Sequence, residues 1–265
     1  IHLMKRLRSE VRGLHMRTAL TRHPFYEPWK ITAVEGFDID FLDPQPPPRG
    51  GALHDLRGQW GTGGRLLSWL RRHRPRAVVF HSYDHLAHLR GLAWCKRMNV
   101  PAFLYVDSNI HGDDPTPSRR AVKKRLIPWL YRRTRAIFVF GSCGRKFYER
   151  YGVPGEHCVY CPMEPDYAQI DAVTEADVEA ARAAHGLSAE RKRFMFCARM
   201  TQVKRPDLLI DAFVAIAQQR PDWDVLMVGE GPLRQGLMAR VPEALRPRVI
   251  WTGFVSDQRR ISALY

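Results

Sequence analysis

Apolar runs of four or five residues recur from residue 77 onward, separated by longer stretches in which apolar positions return at helical spacing. Ala77-Val78-Val79-Phe80, Ala102-Phe103-Leu104-Tyr105-Val106 and Ala136-Ile137-Phe138-Val139-Phe140 are such runs. Continuously apolar segments this short predict strands buried on both faces, and helices over 84–98 and 142–151 predict crossovers between parallel neighbours. A short strand at 158–160 completes this first series. Segment 162–170 holds Pro162 and Pro165 and no clear period, so it reads as a linker; a helix over 174–185, closed by Gly186, follows it. A second series then begins: strand 193–197, helix 206–219, strand 224–228, helix 232–241, strand 249–252. Pro206 and Pro232 stand where first-turn prolines belong.

This pattern predicts an α/β protein with two doubly wound, Rossmann-like domains. The expected boundaries are 1–161 for the first domain, 162–190 for the linker and connecting helix, and 191–265 for the second. A complete doubly wound domain takes about five or six strands; the second series shows three and is expected to be incomplete. Residues 1–60 carry less pattern. Phe25-Tyr26-Glu27-Pro28-Trp29-Lys30 leads into 31–42, then a proline-rich turn over 43–48. Gly58-Gln59-Trp60-Gly61-Thr62-Gly63-Gly64 reads as a glycine-rich loop opening a helix at 65–72. It lacks the preceding strand and the Gly-Lys-Ser/Thr ending of a phosphate cradle, which leaves a flexible substrate loop.

Hydrophobic residues make up 45% and charged residues 26%, the balance of a globular chain long enough to bury a core. No apolar run is long enough to span a membrane. Five scattered cysteines (Cys95, Cys143, Cys158, Cys161, Cys197) suit a reducing compartment, so a cytoplasmic location is expected. His157 beside Cys158 and Cys161 offers half of a zinc site, but no second ligand pair stands at suitable spacing; no metal and no other cofactor is expected. The net charge is +15, and it is uneven. Between residues 61 and 150 stand 19 Lys and Arg against 5 Asp and Glu, all but about one unit of the total. Such a field attracts nucleic acid, an anionic membrane face or an acidic substrate.

Candidate chemistry gathers where the strands of the second series end, the ligand-facing edge of a parallel sheet. Arg199-Met200-Thr201-Gln202-Val203-Lys204 follows the first strand and sets two cations five residues apart before a helix. That pair suits a diphosphate and its departure as a leaving group; by itself it equally suits a solvated basic loop. Val228-Gly229-Glu230-Gly231-Pro232-Leu233 follows the second strand, where glycines permit close backbone approach to a ligand. Trp251-Thr252-Gly253-Phe254-Val255 marks the third.

Together with Pro206-Asp207-Leu208-Leu209-Ile210-Asp211-Ala212-Phe213 and Ala263-Leu264-Tyr265, these segments resemble the donor domain of retaining family-4 glycosyltransferases. Gly152-Val153-Pro154, after Phe140-Gly141-Ser142, looks like that family's last N-domain helix and strand, and 29–42 is similar to an acceptor-side segment of polysaccharide-assembling members. The resemblance implies a GT-B fold, with two Rossmann-like domains facing across a cleft and no metal required. It implies transfer of a sugar from a nucleotide-diphosphate donor to a glycan or lipid-linked acceptor with retained configuration. By the same resemblance, Arg199 and Lys204 bind the donor diphosphate, and Gly229, Gly231, Gly253, Phe254 and Val255 lie in donor-binding loops. Asp107 stands at an acceptor-side position that is often His in relatives. His81, ending the strand 77–80, is expected to face the same cleft; both are candidate catalytic residues. Three departures stand out. The family's pair of glutamates separated by seven residues would follow Tyr265, the first strand of the N-domain with its glycine-containing loop is not visible, and Met163-Glu164-Pro165-Asp166 replaces the usual Asn-Gly-Val-Asp. Both ends are therefore expected to be cut, and this stretch alone to be inactive.

Basic residues crowd 118–133, interleaved with Val122, Leu126, Trp129 and Leu130 at helical spacing. Such a helix can lie in a membrane interface, with Trp129 inward and Lys123 and Lys124 at the headgroups; the competing reading is a basic surface helix packed on its own sheet. Peripheral attachment to the inner face of the cytoplasmic membrane follows from the first reading. Two rival functions remain. A sugar-nucleotide epimerase would share the fold but need no acceptor. A nucleic-acid-binding protein would explain the charge, but no nucleic-acid module is recognisable, and no nucleic acid is expected as a partner.

Overall fold

The computed structural model describes residues 2–20, 38–43, 52–113 and 116–265. The predicted acceptor-side segment therefore lies outside the described residues up to 37, as does the proline-rich turn beyond Asp43. The chain forms two compact units, Ile1–Pro165 and Asp166–Tyr265. Their boundary falls within the expected linker.

In the first unit, helix α1 (His2–Glu10) precedes strands β1 (Arg17–Leu20) and β2 (Asp38–Phe41), which pair in parallel. Arg17 donates to Asp38 at 2.8 Å, fixing their first register position. Arg-Thr-Ala-Leu in β1 is too short and too polar to register as an apolar run. A four-stranded parallel sheet follows in the order β3-β4-β5-β6: Val78–Phe80, Ala102–Tyr105, Ala136–Val139 and Cys158–Tyr160. Helices α3 (Leu86–Arg97), α4 (Pro117–Tyr131) and α5 (Ser142–Arg150) supply the crossovers. Leu70, Leu92, Leu104, Ile127, Leu130, Ile137 and Tyr148 form a fully buried core. The α/β class and parallel sheets are as expected.

The glycine-rich segment is not a loop. Residues 58–64 lie inside α2 (Ala52–His73), a 22-residue helix whose Leu66 and Leu70 are buried in the core. Burial of that face outweighs the poor helix propensity of glycine.

The second unit opens with a short helix, α6 (Tyr167–Asp171), and α7 (Glu175–His185). Thr174 and Asp177 form a reciprocal capping box at the start of α7, and Gly186 ends it at φ +62. Helix α7 packs on α10 (Gln258–Leu264), tied by Arg259 to Asp177 at 2.7 Å, so it belongs to this unit rather than to a linker. A three-stranded parallel sheet has the order β7-β8-β9: Lys192–Cys197, Trp223–Val228 and Val249–Gly253. The central strand β8 is buried from Asp224 to Val228, as its unbroken apolar run predicts. Asp224 starts that run and is held by Arg191 through two 2.7 Å bonds. Pro206 is the first residue of α8 (Pro206–Ile216), while Pro232 sits in the turn before α9 (Arg234–Arg240) rather than in its first turn.

Candidate functional site

All three strands of the second sheet run the same way, so their carboxyl ends share one rim. The three sequence motifs meet there. Met200 N donates to Glu230 O at 2.9 Å, and Leu233 N to Met200 O at 3.2 Å, which join the loops after β7 and β8. Gly229 N donates to Gly253 O at 2.8 Å, joining the loops after β8 and β9. Arg199 and Lys204 both sit exposed in the first loop, flanking the buried Met200; Lys204 ends a 3-10 turn, Gln202–Lys204. Their neighbour Arg205 is engaged locally, donating to both carboxylate oxygens of Asp207 at 2.8–3.1 Å.

Close packing of these loops explains the glycines. Gly229 has φ +124, and a Cβ there would collide with the carbonyl oxygen of Ala198. A Cβ on Gly231 would meet the carbonyl oxygen of Met200. The rim thus carries two exposed cations in its first loop and closely packed backbone in the other two. Phe254 is exposed and Val255 half-buried on the same edge.

In the first unit, Phe80 pairs with Leu104 in parallel register, so His81 and Asp107 leave the same edge of the sheet. His81 lies with its ring edge-on to Tyr105 at 5.3 Å, and desolvation pushes its pKa below the usual value, although the residue as a whole is exposed. Desolvation thus favours its neutral form. Asp107 is exposed, and next to it Ser108 Oγ lies 3.4 Å from the Tyr83 hydroxyl.

Six residues on from Asp107 stands a group that sequence reasoning missed. Asp113 has a side chain only 1% exposed and accepts from Lys123 Nζ at 2.6 Å, the Tyr151 hydroxyl at 2.7 Å and Arg150 Nη1 at 3.3 Å. It pins the loop after β4 to α4 and α5. Nothing in the spacing of Asp113, Lys123 and Arg150 marks them as partners, since they come from three separate elements. Burial pushes the Asp113 carboxyl up, but its bonds from Lys123, Tyr151 and Arg150 outweigh burial and hold it below the usual range. A lowered folded-state value contributes stability that is present above the unfolded pKa and is lost as pH falls through the folded one. Asp113→Ala should cost about 2–4 kcal/mol, less than for a fully enclosed pair because both cations reach solvent. Chemical denaturation at pH 7 measures this, and the gap between variant and parent should shrink toward pH 2.

The α4 surface corrects an expectation. Leu126 and Trp129 pack against the core of the first unit, and Arg133 covers the Trp129 ring at 3.9 Å. Lys123 is bound to Asp113. Only Val122 of the predicted apolar face is exposed, at 61%. The amphipathic pattern is real, but its apolar side faces the sheet, so Trp129 is not available for insertion. Lys124 remains exposed. Pro128 lies inside one continuous helix and does not split it. His157, the half-site candidate, engages the Thr134 hydroxyl at 3.1 Å and lies edge-on to Tyr131.

The α/β units with parallel sheets match the fold of GT-B glycosyltransferases. HepE from Anabaena, solved in complex with UDP and glucose, superposes with a TM-score of 0.61 at 16% identity, over 86% of this chain and 59% of HepE. A glycosyltransferase from Rickettsia africae gives 0.63 at 14% identity, over 98% and 64%. Residues 191–265, which carry the rim just described, match the family of glycosyl transferases group 1. Among curated proteins, D-inositol 3-phosphate glycosyltransferase from Pseudarthrobacter chlorophenolicus is 27% identical over 180 residues, 63% of this chain. The chain spans 41% of that protein's length.

Proposed function

We propose that the chain is part of a retaining glycosyltransferase that moves a sugar from a nucleoside-diphosphate donor to a glycan or lipid-linked acceptor. One observation carries the reading: the loops holding Arg199 and Lys204, Gly229 and Gly231, and Gly253 to Val255 are hydrogen-bonded into a single rim. The group 1 match over the same residues and the bound UDP of HepE support it. Breaking the sugar–phosphate bond leaves positive charge on the sugar and negative charge on the diphosphate. Arg199 and Lys204 stabilise the diphosphate as that charge develops. The glycines let the three loops pack closely enough to form that rim. Asp107 and His81 are assigned to the acceptor, where the neutral form of His81 can take a hydroxyl proton.

The longer protein of which this chain is part, given a panel of nucleoside-diphosphate sugars and candidate acceptors, should transfer one sugar with its anomeric configuration kept, as read by NMR of the product. An inverted product overturns retention. Sugar-nucleotide conversion without any acceptor would replace the reading with an epimerase.

We further propose peripheral attachment to an anionic membrane through the charge of α4 alone. Arg119, Arg120, Lys124 and Arg125 are exposed on α4, and each contributes roughly 1 kcal/mol near an anionic surface, screened by salt. Binding to phosphatidylserine vesicles should exceed binding to neutral ones and fall steeply with salt, with Trp129 emission unchanged. Equal binding to both vesicle types overturns the attachment.

A further inference from the structure

The loop after β8 lays a carboxylate over the loop after β9. Glu230 Oε1 lies 3.2 Å from the point where a Cβ on Gly253 would stand, and Gly253 adopts φ +73, a conformation that favours glycine. The backbones of both loops are anchored: Glu230 O accepts from Met200 N, and Gly253 O from Gly229 N. Arg234 Nε stands 3.6 Å from Glu230 Oε1, an ion-pair distance beyond a hydrogen bond, and that buried nitrogen has no hydrogen-bond partner. Arg234 therefore orients the carboxylate while leaving its acceptor positions open on the exposed side. The neighbouring acid, Asp257, is engaged by the amides of Arg259 and Arg260 at the start of α10.

A nucleoside diphosphate has two chemically opposite ends. Its diphosphate is anionic and suits Arg199 and Lys204. Its nucleoside is neutral and offers ribose O–H and base N–H donors. A carboxylate on the same rim repels the first end and accepts from the second. We infer that Glu230 receives hydrogen bonds from the nucleoside of the donor, and that with the cations of the β7 loop it fixes which way round the donor lies. The inference rests on the donor reading above and adds a residue that selects for the nucleoside.

Calorimetric titration separates the two ideas. The probes are inorganic pyrophosphate, UDP, GDP and ADP, with 2′-deoxy and N-methylated forms of whichever nucleotide binds. Glu230→Ala should weaken that nucleotide about tenfold or more and leave pyrophosphate equal or tighter, whereas Arg199→Ala should weaken both. Against the Glu230→Ala protein, either the deoxy or the N-methylated analogue should no longer be discriminated, which tells ribose from base. Unchanged nucleotide affinity in Glu230→Ala and Glu230→Gln, with parent binding intact, overturns this inference alone. Loss of pyrophosphate binding in Glu230→Ala overturns it too, because the residue would then only shape the rim. Failure of the parent protein to bind any of the nucleotides removes the donor reading and this inference with it.

Discussion

Arg199→Ala and Lys204→Ala should each remove about 2–4 kcal/mol of transition-state stabilisation, a fall of roughly 30- to 1,000-fold in kcat/KM. The reasoning is electrostatic. The diphosphate is already anionic in the bound donor and gains further negative charge as the sugar leaves, so a cation fixed beside it helps the transition state more than the bound donor. The site supplies its own control. Arg205 lies one residue from Lys204 but is held by Asp207 in a bidentate pair and is turned into the start of α8. Arg205→Ala should therefore leave turnover within a few-fold of the parent. Steady-state kinetics on the three variants decides the matter: near-normal rates for Arg199→Ala and Lys204→Ala would remove the diphosphate assignment, and equal losses in all three would reduce it to a general effect of charge.

The second large effect concerns stability. Gly229→Ala places a side chain at φ +124, against the carbonyl oxygen of Ala198. Neither that oxygen nor the glycine can yield easily, since the amide of Gly229 is bound to Gly253 and Ala198 N to Val228 O. Strain of this kind costs about 1–3 kcal/mol for the dihedral alone, and the collision adds to it. A total of about 3–5 kcal/mol should appear as a lower denaturation midpoint of the second unit. Gly236 gives the contrast. It lies in α9 with open space around its missing side chain, so Gly236→Ala should stabilise by roughly 0.5–1 kcal/mol. A Gly229→Ala protein as stable as the parent would mean the loops are not packed as described.

Strands of the four- and three-stranded sheets were legible where the run is short, apolar and bounded by punctuation: Ala102–Tyr105, Ala136–Val139 and Trp223–Val228 fall within a residue or two of expectation. The rim was legible for the same reason, since a motif after each parallel strand must end on one edge. What escaped was decided by partners distant in sequence. Amphipathicity in α4 states that Leu126 and Trp129 share a face, not what covers that face, and the sheet covers it. Asp113 reads as an ordinary loop acid until α4 and α5 bring Lys123, Arg150 and Tyr151 around it. Glu230 reads as a residue between two glycines, and its approach to Gly253 depends on the pairing of β8 with β9.

Four of the seven residues from 58 to 64 are glycine, and each lowers intrinsic helix stability by about 1 kcal/mol relative to alanine. The turns there are held from outside. Arg90 of α3 stacks on the Trp60 ring at 4.0 Å, donates to the Trp60 carbonyl, and lies so near Gly63 that a Cβ would stand 2.9 Å from its side chain. Further along, Leu66 and Leu70 anchor the helix in the core. Helix α2 thus has a C-terminal half anchored in the core and an N-terminal half held by side-chain contacts: Arg90 on Trp60, the Leu86 amide on Gln59, and Thr62 and Arg65 on Asp43. Amide hydrogen exchange should show that half opening at a lower free energy than global unfolding.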